Sequence, residues 1–167
     1  MSVTRRDFSQ AAALAALSGG SWASAFAQAA GHAAPAAAKA VFTNFEDIQW
    51  QPLLPGYGPG GPEVVLLHTH PTTQATQLMI KMPGEFDVPK HWHSANETHF
   101  LLQGRVIFTC DGHGTDQGPG SFNYIPARMV HSAVSRPGDD AIAFITVDGA
   151  WDVNWVEGPP KPGKVMG

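Results

Sequence analysis

The chain has 167 residues, with 10 Lys and Arg against 14 Asp and Glu and a formal net charge of −4 at pH 7. That length supports one compact domain, and an acidic balance without a basic stripe argues against nucleic acid as a partner. Cys110 is the only cysteine, which excludes an intramolecular disulfide.

The amino end reads as an export signal. Thr4-Arg5-Arg6-Asp7-Phe8 is followed by the apolar run Ala11–Leu17, and Ala25-Phe26-Ala27 precedes Gln28. A positive start, a short apolar stretch and a small-residue cleavage site mark a bacterial signal peptide over residues 1–27. Thr-Arg-Arg-x-Phe resembles the twin-arginine consensus in particular. Ser18-Gly19-Gly20 breaks the apolar stretch, which falls well short of the ~20 residues that span a bilayer. The expectation is a periplasmic or secreted protein with no membrane association after signal cleavage. Removing 27 residues, two arginines and one aspartate among them, leaves 140 residues with eight Lys and Arg against thirteen Asp and Glu. The balance becomes −5, and no polybasic membrane patch is present. Residues 28–40 read as an alanine-rich flexible linker.

Residues 41–157 read as one all-β domain, with short hydrophobic runs alternating with turn residues. Candidate strands are Val64–His68, Gln77–Met82, His99–Leu102, Val106–Cys110, Phe122–Ile125 and Ile142–Val147. Turns are marked by Pro55-Gly56, Pro83-Gly84, Asp111-Gly112, Gly118-Pro119-Gly120 and Pro137-Gly138. Gly104 fits a tight turn before Arg105, and Pro126, lacking an N–H, fits a strand edge. Residues 158–167 read as a disordered tail. The domain carries no repeat, nucleophilic triad, phosphate loop or dinucleotide fingerprint.

Within this domain His91, His93, Glu97 and His131 stand out. In a strand, residues i and i+2 share a face, so His91 and His93 converge while Trp92 points away. Glu97 lies close enough to reach back from the next turn or strand. Three imidazoles and a carboxylate suit a divalent first-row transition metal. Four protein ligands leave one or two positions open on a five- or six-coordinate ion, as a catalytic metal needs.

The frame around these residues is G-x6-H-x-H-x3-E-x6-G from Gly84 to Gly104, then G-x5-P-x-R-x2-H from Gly120 to His131. It resembles the two signature motifs of the cupin family. The first motif has six residues rather than the commonest five between Gly84 and His91. The second has Arg128 where glycine is usual, and Ser135 where asparagine often sits. The resemblance implies a single-domain jelly-roll (double-stranded β-helix) barrel with one divalent metal at its centre. It does not fix a reaction, because the family includes dioxygenases, decarboxylases, isomerases, lyases and non-catalytic members. Small members often pair through their sheets, so the resemblance also implies a candidate homodimer.

Twin-arginine export resembles the route for proteins already folded, which lets a weakly held ion be trapped before export. Mn or Fe is therefore favoured over Zn, Ni and Cu, although a nitrogen and oxygen site binds Cu and Zn more tightly at equilibrium.

His99, two residues past Glu97, shares its face if that stretch is extended, and is a candidate proton shuttle or partner of a ligand. Arg128 is a candidate for gripping a substrate carboxylate. His68 and His70 form a second H-x-H pair that either lines the cavity or makes an accessory site. His113 reads as a loop residue, Cys110 as a small core residue, and Trp151 and Trp155 as core. Two functions follow. The first is an exported metalloenzyme of dioxygenase or decarboxylase type, acting on a small organic acid or phenolic substrate. The second is a non-catalytic periplasmic module that binds a metal or small ligand.

Overall fold

The computed structural model describes residues 39–138 and 140–162. The expected signal over residues 1–27, most of the linker and the end of the tail lie outside the described residues. Eleven strands among the described residues form two antiparallel sheets. The first sheet runs β1 (Gln51–Pro52), β2 (Glu63–Thr69), β3 (Thr76–Met82), β10 (Ala141–Val147), β5 (Glu97–Gln103), β8 (Phe122–Ile125). The second runs β11 (Asn154–Trp155), β4 (Asp87–Trp92), β9 (His131–Ser135), β6 (Val106–Cys110), β7 (His113–Gln117).

Strand alternation sorts the side chains. Along β5, Glu97, His99 and Leu101 are buried while Phe100 and Leu102 face out. Along β10, Ala141, Ala143, Ile145 and Val147 point inward and join Leu78, Met82, Leu101, Val106 and Ala133 in one core shared by both sheets. This is the jelly-roll barrel expected from the sequence. Among the described residues no helix is long and apolar enough to cross a membrane.

All six candidate strands are present, with ends shifted by no more than two residues. Of the five strands that the pattern missed, β4, β7, β9 and β11 lie in the second sheet and the two-residue β1 in the first. His113 is not a loop residue: it opens β7 and pairs with Cys110. Asp111 and Gly112 sit at φ 50° and 77°, as a two-residue I′ hairpin turn requires. The β7 sequence His-Gly-Thr-Asp-Gln is exposed along nearly its whole length, so it has no apolar alternation to read.

Three local devices set up the site. Val88 pairs with Ala133 but His91 with His131, so three steps along β4 match two along β9. This one-residue bulge coincides with the extra residue between Gly84 and His91. Val88 and His91 both line the interior although they are three apart, and the bulge restores the parity that a regular strand would lose. Gly104 turns β5 into β6 at φ 72°, where a Cβ would lie 2.7 Å from the Ala141 Cα. Ser135, where asparagine was the usual expectation, is buried; its Oγ accepts from the Phe86 N–H at 2.8 Å and donates to the Pro83 carbonyl at 2.5 Å, tying down the turn before β4.

Candidate metal centre

β4 and β9 bring His91 and His131 face to face as cross-strand partners, with ring centroids 4.2 Å apart. His93 follows just beyond β4, and its ring lies 5.0 Å from His91 and 5.1 Å from His131. One ring nitrogen of each lies within 4.8 Å of the others, and all three residues are buried. Each uses Nδ1 on a backbone carbonyl: His91 on Pro89 at 2.7 Å, His131 on Met129 at 3.0 Å, and His93 on Asp152. A carbonyl only accepts, so Nδ1 carries a proton in each ring and Nε2 is the nitrogen turned inward.

Glu97 enters from β5 and is 1% exposed. Its Oε1 accepts from the Trp151 indole N–H at 3.2 Å. Its Oε2 lies 2.9 Å from His93 Nε2 and 3.3 Å from His99 Nε2, yet makes no hydrogen bond. A buried carboxylate oxygen facing imidazole nitrogens that do not donate to it is a costly arrangement unless something positive sits among them. The three-histidine cluster therefore fits a divalent cation, with the Glu97 carboxylate beside His93 but outside the cluster whose ligand atoms all lie within 4.8 Å of one another.

Electrostatics agree with the ligand role. Burial, with each imidazole opposed by its neighbours, lowers the pKa of His91 to about 4 and that of His131 to about 4. Both are neutral at pH 7, the state that ligates. Burial also acts to lower His93, but the Glu97 carboxylate outweighs it and the net shift is upward. Burial acts to raise Glu97, and the surrounding imidazoles, His99 and His93 foremost, overcome it and take the carboxyl to about 2. The carboxylate is thus charged, and it favours the protonated form of His93.

The histidines and Glu97 lie in the wall of a cavity of about 310 Å³. His99 lines it too, with Nδ1 held at 2.8 Å by the Asn123 side-chain carbonyl and its ring against Phe108 at 5.1 Å. The rest of the wall is apolar, including Phe86, Val88, Ile145 and Val153, and no Lys or Arg lines it. Ala133 and Ala143 help to leave the space open.

Other candidates fall elsewhere. Arg128 is exposed and does not line the cavity; its backbone N–H donates to the His93 carbonyl at 2.8 Å. His68 and His70 are exposed and do not line the cavity, and His70 Nδ1 accepts from the Thr72 and Thr73 N–H groups. Cys110 is half-buried, with burial and Asp111 raising its pKa, the opposite of an activated thiolate. Trp151 packs against the core as expected but also lines the cavity and bonds Glu97, while Trp155 corrects the core expectation as a half-buried cavity residue 5.3 Å from the His91 ring.

Residues 77–148 match the family model described as the cupin domain. No curated protein matches this sequence. Among solved structures, the polyketide cyclase RemF from Streptomyces resistomycificus is similar with TM-score 0.61 and 16% identity, covering 74% of this chain and 90% of that one. KdgF from Halomonas sp. has TM-score 0.55 and 17% identity, covering 66% and 94%. An RmlC-like cupin from Shewanella frigidimarina has TM-score 0.56 and 17% identity, covering 67% and 93%. At these identities the likeness is one of fold, and the fold is the cupin jelly roll.

Proposed function

We propose that this chain is an exported, metal-dependent cupin enzyme of dioxygenase or decarboxylase type, acting on a small, largely apolar or phenolic substrate. The observation that carries the reading is the orphaned Glu97 Oε2, set among imidazoles at the wall of an apolar cavity. His91, His93 and His131 would hold the ion through Nε2 and Glu97 through Oε2. A bound divalent ion with open positions supplies Lewis acidity and, for Mn or Fe, redox chemistry.

The chain's own residues do the rest. Carbonyls of Pro89, Asp152 and Met129 fix which nitrogen each histidine offers. The apolar wall excludes water and strengthens every charge interaction inside. His99, oriented by Asn123, is the remaining cavity group able to take or give a proton. A volume of about 310 Å³ lies at the low end of the roughly 300–1,000 Å³ typical of ligand sites. Without a cationic side chain in the wall, a second carboxylate on the substrate would be buried unpaired. That favours a ring or short chain with one polar head over a polyacid.

The signal-like amino end supports export to the periplasm, and uptake in the folded state favours Mn or Fe. The exposed aromatic outer face of the first sheet supports a homodimer. Elemental analysis of protein exported through its own signal, purified without tag or chelator, tests the metal. One equivalent of Mn or Fe that is lost in His131→Ala, with turnover on phenolic or monoacid substrates that is lost in His91→Ala, is expected. A second reading, a non-catalytic binding module, draws on the scarcity of proton-transfer groups in the cavity beyond His99. Tight metal uptake with no turnover would select it, and no affinity for any divalent metal would overturn the enzyme reading and leave only a module for a small ligand.

A further inference from the structure

The segment from Asp148 to Trp155 touches the metal-centre motif residue by residue. The Asp148 carboxylate takes the Asn96 backbone N–H at 2.9 Å and its side-chain amide at 2.5 Å. The Trp151 indole N–H donates to Glu97 Oε1 at 3.2 Å. The Asp152 carbonyl takes His93 Nδ1–H, while its carboxylate takes the Ser94 N–H at 2.8 Å and hydroxyl at 2.6 Å. Asn154 and Trp155 then pair as β11 with Trp92 and His91. These partners are more than fifty residues apart in sequence.

We infer that Trp151 and Asp152 are positioning residues of the metal centre, holding Glu97 and His93 in the orientation in which each offers one free atom to the ion. This rests on the metal reading above. The indole N–H takes up one carboxylate oxygen and leaves Oε2, which has no hydrogen-bond partner, as the atom turned to the ion. Asp152 grips two successive residues: its carbonyl sets the His93 ring and its carboxylate fixes Ser94, so the carbonyl that orients the ring is itself held against the loop. Partners of this kind orient a ligand before the ion arrives and so lower the ordering cost of binding.

The test is metal affinity of the full chain, by chelator competition with Zn²⁺ and by titration with Mn²⁺. Trp151→Phe keeps an aromatic ring but removes the N–H together with the fused five-membered ring, so its metal-free midpoint reads the packing loss separately from affinity. Asp152→Ala removes the carboxylate, and Asp152→Asn keeps an acceptor for the Ser94 N–H. Far-UV circular dichroism and the thermal midpoint of each metal-free variant are read alongside. Trp151→Phe and Asp152→Ala are expected to weaken both metals by about 10–100-fold, the usual effect of losing such a partner, with Asp152→Asn near wild type. A residue that only packs would lower the metal-free midpoint without changing affinity. Affinities within twofold of wild type in Trp151→Phe would overturn the inference, even if Asp152→Ala failed to fold. If the wild-type chain binds neither metal, the metal reading itself falls, which separates the two failures.

Discussion

Glu97 Oε2 lies 2.9 Å from His93 Nε2 and finds no donor there while His93 is neutral, because its one ring proton is then committed to the Asp152 carbonyl on the other side of the ring. A cation and a proton therefore compete for the same place. Glu97→Gln separates them. With Trp151 still donating to Oε1, the new amide N–H faces the His93 lone pair and makes the missing bond. The metal-free variant should keep its stability to within about 1 kcal/mol, since a well-bonded neutral pair commonly replaces a buried ion pair at little cost. Metal affinity should fall by more than the ~100-fold upper range for outer partners. Unchanged affinity by chelator competition would remove Glu97 from the ligand set.

Acid should release the metal and loosen the barrel in one window. His91 and His131 are held at about 4 against 6.5 for a free histidine. Between those values the unfolded chain binds protons that the fold excludes, so stability rises with pH. It is complete above pH 6.5 and is lost as pH falls toward 4, by roughly 3 kcal/mol for each group at most. Glu97, lowered to about 2, adds loss in the same direction at still lower pH. His93 is raised, so its contribution has the opposite sign and fades as pH climbs through its folded value. Thermal melts of metal-free protein from pH 7.5 to 4 test this, and a midpoint that holds steady or rises toward pH 4 would contradict neutral buried His91 and His131.

The bulge in β4 gives a third test. Lys90 is exposed in the stretch where three steps of β4 match two of β9. Deleting Lys90 restores the commonest motif spacing and leaves His91 two residues after Val88, still facing inward. That variant should fold and keep metal affinity to within about tenfold, less than the loss of an outer partner at its worst. Deleting Trp92 instead puts His91 and His93 on opposite faces and should abolish binding. If both deletions behave alike, the bulge does not absorb the extra residue.

How far the site was legible follows from where its contacts lie in the chain. His91, His93 and Glu97 sit within seven residues: alternation predicts that His91 and His93 converge and that His99 shares the face of Glu97, while Glu97 is near enough to reach back from the next strand. The fold was readable wherever one face of a strand is apolar, as in β3, β5 and β10. It was not readable in β7, which is polar on both faces, or in β4, where the bulge breaks the period. Trp151 and Asp152 left no local signal: their partners Glu97 and Ser94 are 54 and 58 residues away. A tryptophan bonded to a carboxylate looks, in sequence, like any core tryptophan.

Arg128 occupies φ 65°, a conformation that costs a non-glycine residue about 1–2 kcal/mol. This explains why glycine is usual at that place in the motif. Arg128→Gly relieves the strain but adds freedom to the unfolded chain, so a net gain of about 1 kcal/mol is expected, seen as a rise of a few degrees in melting midpoint. The exposed side chain stands outside the cavity lining, and KM should not change. A rise in KM with unchanged stability would restore Arg128 as a substrate contact.

The outer face of the first sheet predicts self-association. Phe100, Leu102, Phe122 and Tyr124 are 43–57% exposed on adjacent strands β5 and β8. The Phe100 ring lies 5.7 Å from Phe122 and 6.5 Å from Phe144 on β10. Scattered exposed apolar residues are ordinary, but a contiguous aromatic cluster on one sheet face usually marks a surface that another surface covers. Two copies meeting here would bury aromatic rings enriched at interface centres. Light scattering should give a dimer for the wild type and a monomer for Phe122→Lys/Tyr124→Lys, because two buried ammonium groups per copy cannot be desolvated without partners. Both substitutions point away from the cavity, so metal affinity should persist in the monomer. A wild-type chain that stays monomeric at high micromolar concentration would rule out pairing through this face.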